Sequence, residues 1–118
     1  MRIVIKSTGT TLTPALRKYA EEKFSRLEKI FNKLTIVRIE LEYMRDYREK
    51  EKFRAEATID APHHVFRGES QEFDLYAAID TLIPKLVSQI EKFKDKKLAK
   101  FKRAAREVSD ETLSQNLS

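Results

Sequence analysis

The apolar residues of this chain recur with two periods, and each switch of period marks a new element. In residues 2–6, Ile3 and Ile5 alternate with polar neighbours, the pattern of a short strand. A turn carrying Gly9 follows. Thr13-Pro14 then opens a helix, with a good N-cap residue before a proline at the first helical position. Leu16, Tyr19, Ala20, Phe24, Leu27, Ile30 and Phe31 return at three- and four-residue steps. They predict one helix running to about residue 31, with Asn32 as its stop.

Over residues 35–45 the period drops to two, with Val37, Ile39, Leu41 and Tyr43 on one face and Arg38, Glu40 and Glu42 on the other. Residues 46–50 form a charged turn. Alternation resumes over 52–61, where Phe53, Ala55, Ala57, Ile59 and Ala61 face inward against Lys52, Arg54, Glu56, Thr58 and Asp60. Alternation this regular means a sheet with one face buried and one face wet. Pro62 breaks the run, and 64–70 reads as a fourth strand built around Phe66. Gly68 shares the face of Phe66 and marks a place where a helix can approach closely.

Asp74 is a natural N-cap for a long second helix whose apolar stripe is Leu75, Ile79, Leu82, Leu86, Ile90 and Phe93. Pro84 stands inside it. A proline there removes a backbone hydrogen bond and costs roughly 3 kcal/mol in a regular helix. The stripe nevertheless stays in phase across Pro84, so the helix is predicted to continue with a kink. Beyond Val108 the chain is polar and reads as a frayed tail. The order β-α-β-β-β-α predicts an α+β fold, a two-layer sandwich in which two helices cover one face of a four-stranded, mainly antiparallel sheet. The 118 residues make one domain, with 1–106 as its body and 107–118 as a polar, disordered tail.

Composition removes several classes of function. There are no cysteines, which excludes disulfide frameworks, thiolate metal sites and cysteine nucleophiles and suits a reducing cytosol. No apolar run approaches the ~18 residues of a membrane span, and residues 1–6 are too short for a signal peptide. A cytoplasmic protein with no membrane partner is expected. The net charge of +5 is modest, but its distribution is not. Residues 85–106 hold nine basic residues and two acids, a net +7, whereas residues 1–84 carry +1 and 107–118 carry −3. An excess confined to one segment is the footprint of a polyanion partner.

A helical wheel sharpens this. With Lys85 at zero, Lys92, Lys96 and Arg103 fall within about 20° of it and Lys100 at about 60°, beside an apolar stripe centred near about 100°. Past Phe93 the stripe would continue at Lys97 and Lys100, so the helix end is predicted to project as a cationic overhang. Lys23 falls inside the apolar arc of the first helix, which sends its charged head to the layer's edge or to the groove between the helices. Lys29 adds to the basic surface of that helix. Phosphate binding by these groups would release counterions and weaken with salt. The plainer alternative is a solvated charged face with local ion pairs.

Catalytic readings find no support. His63 and His64 are adjacent, so on a strand they point to opposite faces and cannot share a metal. The pairs Glu21-Glu22 and Glu40 with Glu42 lie on predicted exposed faces. Two glycines in the whole chain leave no phosphate-cradling loop, and no G-x-S-x-G elbow occurs. No catalytic residue, metal site, cofactor or small-molecule substrate is expected.

The stretch from Leu12 to Lys23, followed by Leu27-Glu28-Lys29, resembles the first helix of the bacterial and plastid ribosome hibernation-promoting factors, which include ribosome-associated inhibitor A. Asp74-Leu75-Tyr76-Ala77-Ala78-Ile79-Asp80 is similar to the family's D-M-Y-A-A-I-D, and Lys85-Leu86, Gln89-Ile90 and Lys92 to its K-L-x-R-Q-L-x-K. The likeness covers about residues 1–105, and the family's fold has the same element order. It implies a non-enzymatic inhibitor that binds the small ribosomal subunit and its rRNA within the whole ribosome. There such proteins occupy the decoding channel, block messenger and transfer RNA sterically, and hold idle subunits together. Lys23, Lys29, Lys85 and Lys92 match basic positions of the motifs; Lys96, Lys100 and Arg103 join them as rRNA-binding candidates from the wheel. Two departures stand out. Ser88 replaces the family's arginine, leaving that position without its cation, and Pro84 interrupts the helix. The resemblance implies either a short member or the N-terminal domain of a long one. Two other functions fit the same pattern: a generic double-stranded-RNA-binding module, and a protein–protein adaptor docking through the exposed sheet face.

Overall fold

The computed structural model describes the backbone of residues 1–44 and 52–117, and the side chains of residues 1–44 and 52–100. The charged turn predicted at 46–50 lies outside the described residues. The elements are β1 (Arg2–Thr8), α1 (Pro14–Ser25), α2 (Leu27–Ile30), β2 (Ile36–Tyr43), β3 (Phe53–Ala61), β4 (His64–Glu72) and α3 (Leu75–Leu117). The four strands form one sheet in the order β1-β2-β3-β4. β1 runs parallel to β2, with Ile3 opposite Val37, and the other two pairings are antiparallel. The parallel pair requires a crossover, which α1 and α2 supply. This is the predicted α+β sandwich, with a mixed sheet.

Local chemistry accounts for the helix starts. The Thr13 hydroxyl accepts from the Leu16 N–H at 3.1 Å ahead of Pro14. Asp74 Oδ1 accepts from the Ala77 N–H at 2.8 Å. The helix predicted to reach residue 31 is instead divided at Arg26. There the backbone N–H turns to the Phe24 carbonyl rather than to the carbonyl four residues back, while φ and ψ stay helical. The apolar stripe passes through undisturbed, and Phe24 and Leu27 on either side of the break are both fully buried.

α3 continues unbroken across Pro84. Pro84 and Asp80, whose carbonyl loses its partner, are both on the exposed side, where water can take the vacant acceptor. The helix also extends to Leu117, over the segment read from its polarity as a disordered tail. No glycine or proline follows Pro84, so no residue in that stretch opposes propagation of the helix.

The core lies between the sheet and the helices, with Phe24, Leu27, Ile39, Leu41, Ile59, Phe66, Ile79, Leu82, Leu86 and Ile90 fully enclosed. Small residues set the distance between α3 and the sheet. Ala55, Ala57 and Gly68 lie beneath it, and a Cβ on Gly68 would stand 3.0 Å from Leu82 Cδ1 and 3.2 Å from Leu86 Cδ2. The close approach predicted at Gly68 is real. Ile90 is the last fully buried residue of α3, Phe93 is half-buried, and Lys94 to Lys100 are all exposed. The helix therefore leaves the sandwich as the cationic overhang its sequence implied.

Candidate nucleic-acid interface

β4 is an edge strand, and its outward backbone groups need partners. α3 provides them. The Gln89 side-chain amide donates to the Arg67 carbonyl at 2.5 Å and accepts from the Arg67 N–H at 3.3 Å, taking both bonds a neighbouring strand would make. One turn earlier, Lys85 Nζ donates to the Glu69 carbonyl at 2.9 Å. Lys85 and Gln89 thus cover the middle of the edge while the lysine itself stays at the surface.

The β3–β4 corner delivers an aromatic group to the next turn of α3. Its two connecting residues are Pro62 and His63, and His63 adopts φ 61°, the Pro-then-positive-φ order of a type II turn. His63 is therefore a turn residue rather than a strand neighbour of His64. His64 begins β4 and lays its imidazole on Phe93, with centroids 4.3 Å apart and planes inclined by 19°. Phe66 and Phe31 meet Phe93 edge-on, at 5.4 and 5.9 Å. Around this stack, His64, Gln89, Lys92, Phe93 and Lys96 line a surface concavity. A second one continues along the overhang between Phe93, Lys96, Lys97, Ala99 and Lys100.

The opposite side of α3 faces the first helix. The Tyr19 hydroxyl donates to the Asp80 carboxylate, and the Tyr19 and Tyr76 rings meet edge-on at 4.9 Å. The hydrogen bond to Asp80, burial and the carboxylate's charge push the Tyr19 phenol up to about 12. Lys23 sends its ammonium over the ring of Tyr19 on its own helix, 5.3 Å from the centroid. Lys94 donates to the Ile30 carbonyl at 2.6 Å and so caps the end of α2.

The sequence-predicted candidates accordingly separate into two sets. Lys85, Lys92 and Lys96 lie on the β4 side of α3 and Lys100 farther along the overhang, while Lys23 belongs to α1, which packs on the opposite side of α3. Lys29 is an exposed residue of α2. Arg103 is on α3, but its side chain lies outside the described residues. Among the described residues, none of these ammonium groups sits in a salt bridge. Sequence reasoning passed over His64, Phe93 and Gln89 as surface-site residues. The signal that could have found Gln89 is its wheel position, about 40° from Lys85. The His64–Phe93 contact is tertiary and left no trace in either segment.

The open face of the sheet has a different character. Arg54 spans Glu42, Glu56 and Glu69, reaching Glu69 Oε2 through Nη2 at 2.7 Å. The hydrogen bond from Arg54 holds the Glu69 carboxyl below the usual range and raises the already high pKa of the guanidinium. Arg38 pairs with Asp60 at 2.8 Å. These charges largely satisfy one another across strands, as on a solvated face. Among the described residues, no three His, Asp or Glu side chains converge on a point that could hold a metal ion, and no helix is long and apolar enough to cross a membrane.

Residues 3–98 match the family model described as Sigma 54 modulation protein / S30EA ribosomal protein. The chain is 37% identical over 98 residues to the ribosome hibernation promoting factor of Azotobacter vinelandii, covering 83% of this chain and 87% of that one. Its fold is similar to that of a ribosomal subunit interface protein from Coxiella burnetii, with TM-score 0.71 and 25% identity over 80% of this chain and 99% of the other. It is also similar to the N-terminal domain of Protein Y from Thermus thermophilus, with TM-score 0.67 and 30% identity, covering 79% of this chain and 99% of that one. Together with the two-layer fold and the basic outer helix, these matches identify the chain as a member of the Sigma 54 modulation protein / S30EA ribosomal protein family, to which the ribosome hibernation promoting factors are its relatives.

Proposed function

We propose that this protein is a non-enzymatic, cytoplasmic translation regulator that binds the small ribosomal subunit through rRNA contacts made by α3. On the ribosome it occupies the decoding channel, where messenger and the A- and P-site transfer RNAs would lie, and so keeps idle ribosomes out of translation. The observation that carries this reading is the lysine row Lys85, Lys92 and Lys96 on the β4 side of a helix that projects beyond its own core and carries Lys100 on the overhang. A rigid cationic rod suits recognition of phosphate and shape rather than base edges. The family relationship favours the ribosome over free RNA duplexes. The adaptor reading has less support, because the charges of the open sheet face pair with one another instead of standing free for a partner.

Co-sedimentation with purified small subunits and whole ribosomes tests the proposal. Association is expected at low salt, weakening as salt rises, and competed away when messenger and transfer RNA fill the decoding channel. Association that survives a filled channel would move the site elsewhere on the particle. Tight binding to free duplexes without ribosome association would favour a generic RNA-binding module.

A further inference from the structure

The lysine row explains attraction to phosphate, but the concavity between β4 and α3 holds something it does not require. His64 is exposed although its imidazole is stacked on Phe93, and Phe93 is itself fixed edge-on by Phe66 and Phe31. The ring at the surface is therefore backed by aromatic core and held at a set angle, instead of swinging freely on a loop. Lys92 and Lys96, one helical turn apart on α3, border the same concavity. The Gln89 amide that completes it is already committed to the Arg67 backbone.

A fixed flat π surface with cations beside it matches the two halves of a nucleotide, the base by stacking and the phosphate by charge. A purely electrostatic contact with duplex backbone would use the lysines and leave the ring idle. A base paired inside a duplex has both faces stacked on its neighbours, so only an unpaired nucleotide can use this surface. We infer that the His64–Phe93 stack, with Lys92 and Lys96, is a seat for one unpaired RNA nucleotide, its base on the exposed imidazole and its phosphate on the lysines. The inference rests on the proposed RNA-binding role of α3 and adds to it a contact with unstacked RNA.

The test compares a short single-stranded RNA of mixed sequence with the same strand made abasic, binding each to the full chain. The base-bearing strand should bind on the order of tenfold more tightly. His64→Ala should erase that difference while leaving the salt dependence of binding as it was, and His64→Phe should retain the difference. Lys92→Ala with Lys96→Ala should instead lower the salt slope for both strands. Equal binding of the two strands, or a preference that survives His64→Ala, overturns the seat. Ribosome co-sedimentation of the unaltered protein is read in parallel, so a failure of the ribosomal role is seen separately from a failure of the nucleotide seat.

Discussion

The hydroxyl of Tyr19 on α1 donates to the carboxylate of Asp80 on α3, joining the two helices at the surface end of their shared groove. The bond ties two residues 61 positions apart in sequence. Tyr19→Phe should keep the edge-on contact with Tyr76 and lose only the hydrogen bond, lowering stability by about 0.5–1 kcal/mol in urea unfolding.

The same bond has a pH signature. Tyr19 is held protonated in the folded state up to about 12, above the ordinary tyrosine value. A group whose pKa is raised on folding contributes stability below its unfolded value and loses it as pH climbs through the folded one. The tyrosine contribution should therefore be complete below roughly pH 10 and fade towards about 12. Thermal midpoints of the parent and Tyr19→Phe proteins should converge across that window, and parallel curves would sink the assignment.

Gln89 acts on backbone groups of an edge strand, so its loss should be felt locally. Gln89→Ala leaves the Arg67 N–H and carbonyl open to solvent, at a cost of about 1 kcal/mol. Hydrogen exchange at the Arg67 amide should accelerate more than at the Thr58 amide opposite it on β3. Uniform acceleration would mean that Gln89 stabilises the whole fold instead of the edge.

Charge reversal on α3 separates binding from folding only where the lysine has no structural bond. Lys85 has one, to the Glu69 carbonyl, so Lys85→Glu confounds the two. Lys92→Glu with Lys96→Glu should abolish ribosome co-sedimentation while the thermal midpoint moves little. Retained association with an intact fold would remove both residues from the interface.

Gly68→Ala probes the contact between sheet and helix. The added methyl meets Leu82 at 3.0 Å and Leu86 at 3.2 Å, both in a filled core, and should destabilise the protein by about 1–3 kcal/mol. Combining it with Leu82→Ala should recover part of that loss, because the second change makes room for the first.

The element order, the inward faces of β2, β3 and β4, both helix starts and the cationic overhang were legible in the residues, because period and capping are local properties of the chain. The break at Arg26 was not, since the apolar stripe runs straight through it. Over 107–117 polarity alone gives no helical stripe, and the course of α3 there follows from the absence of any helix breaker after Pro84. Of the predicted interface, sequence alone placed Lys85, Lys92, Lys96 and Arg103 on one line of one helix, with Lys100 about 60° from it. Only the tertiary structure decided that this line borders β4 while Lys23 lies across the helix, and that His64 comes to rest on Phe93. Those relations depend on which edge of the sheet α3 packs against, a choice made by long-range pairing of strands and by the space over Ala55, Ala57 and Gly68, which no local periodicity encodes.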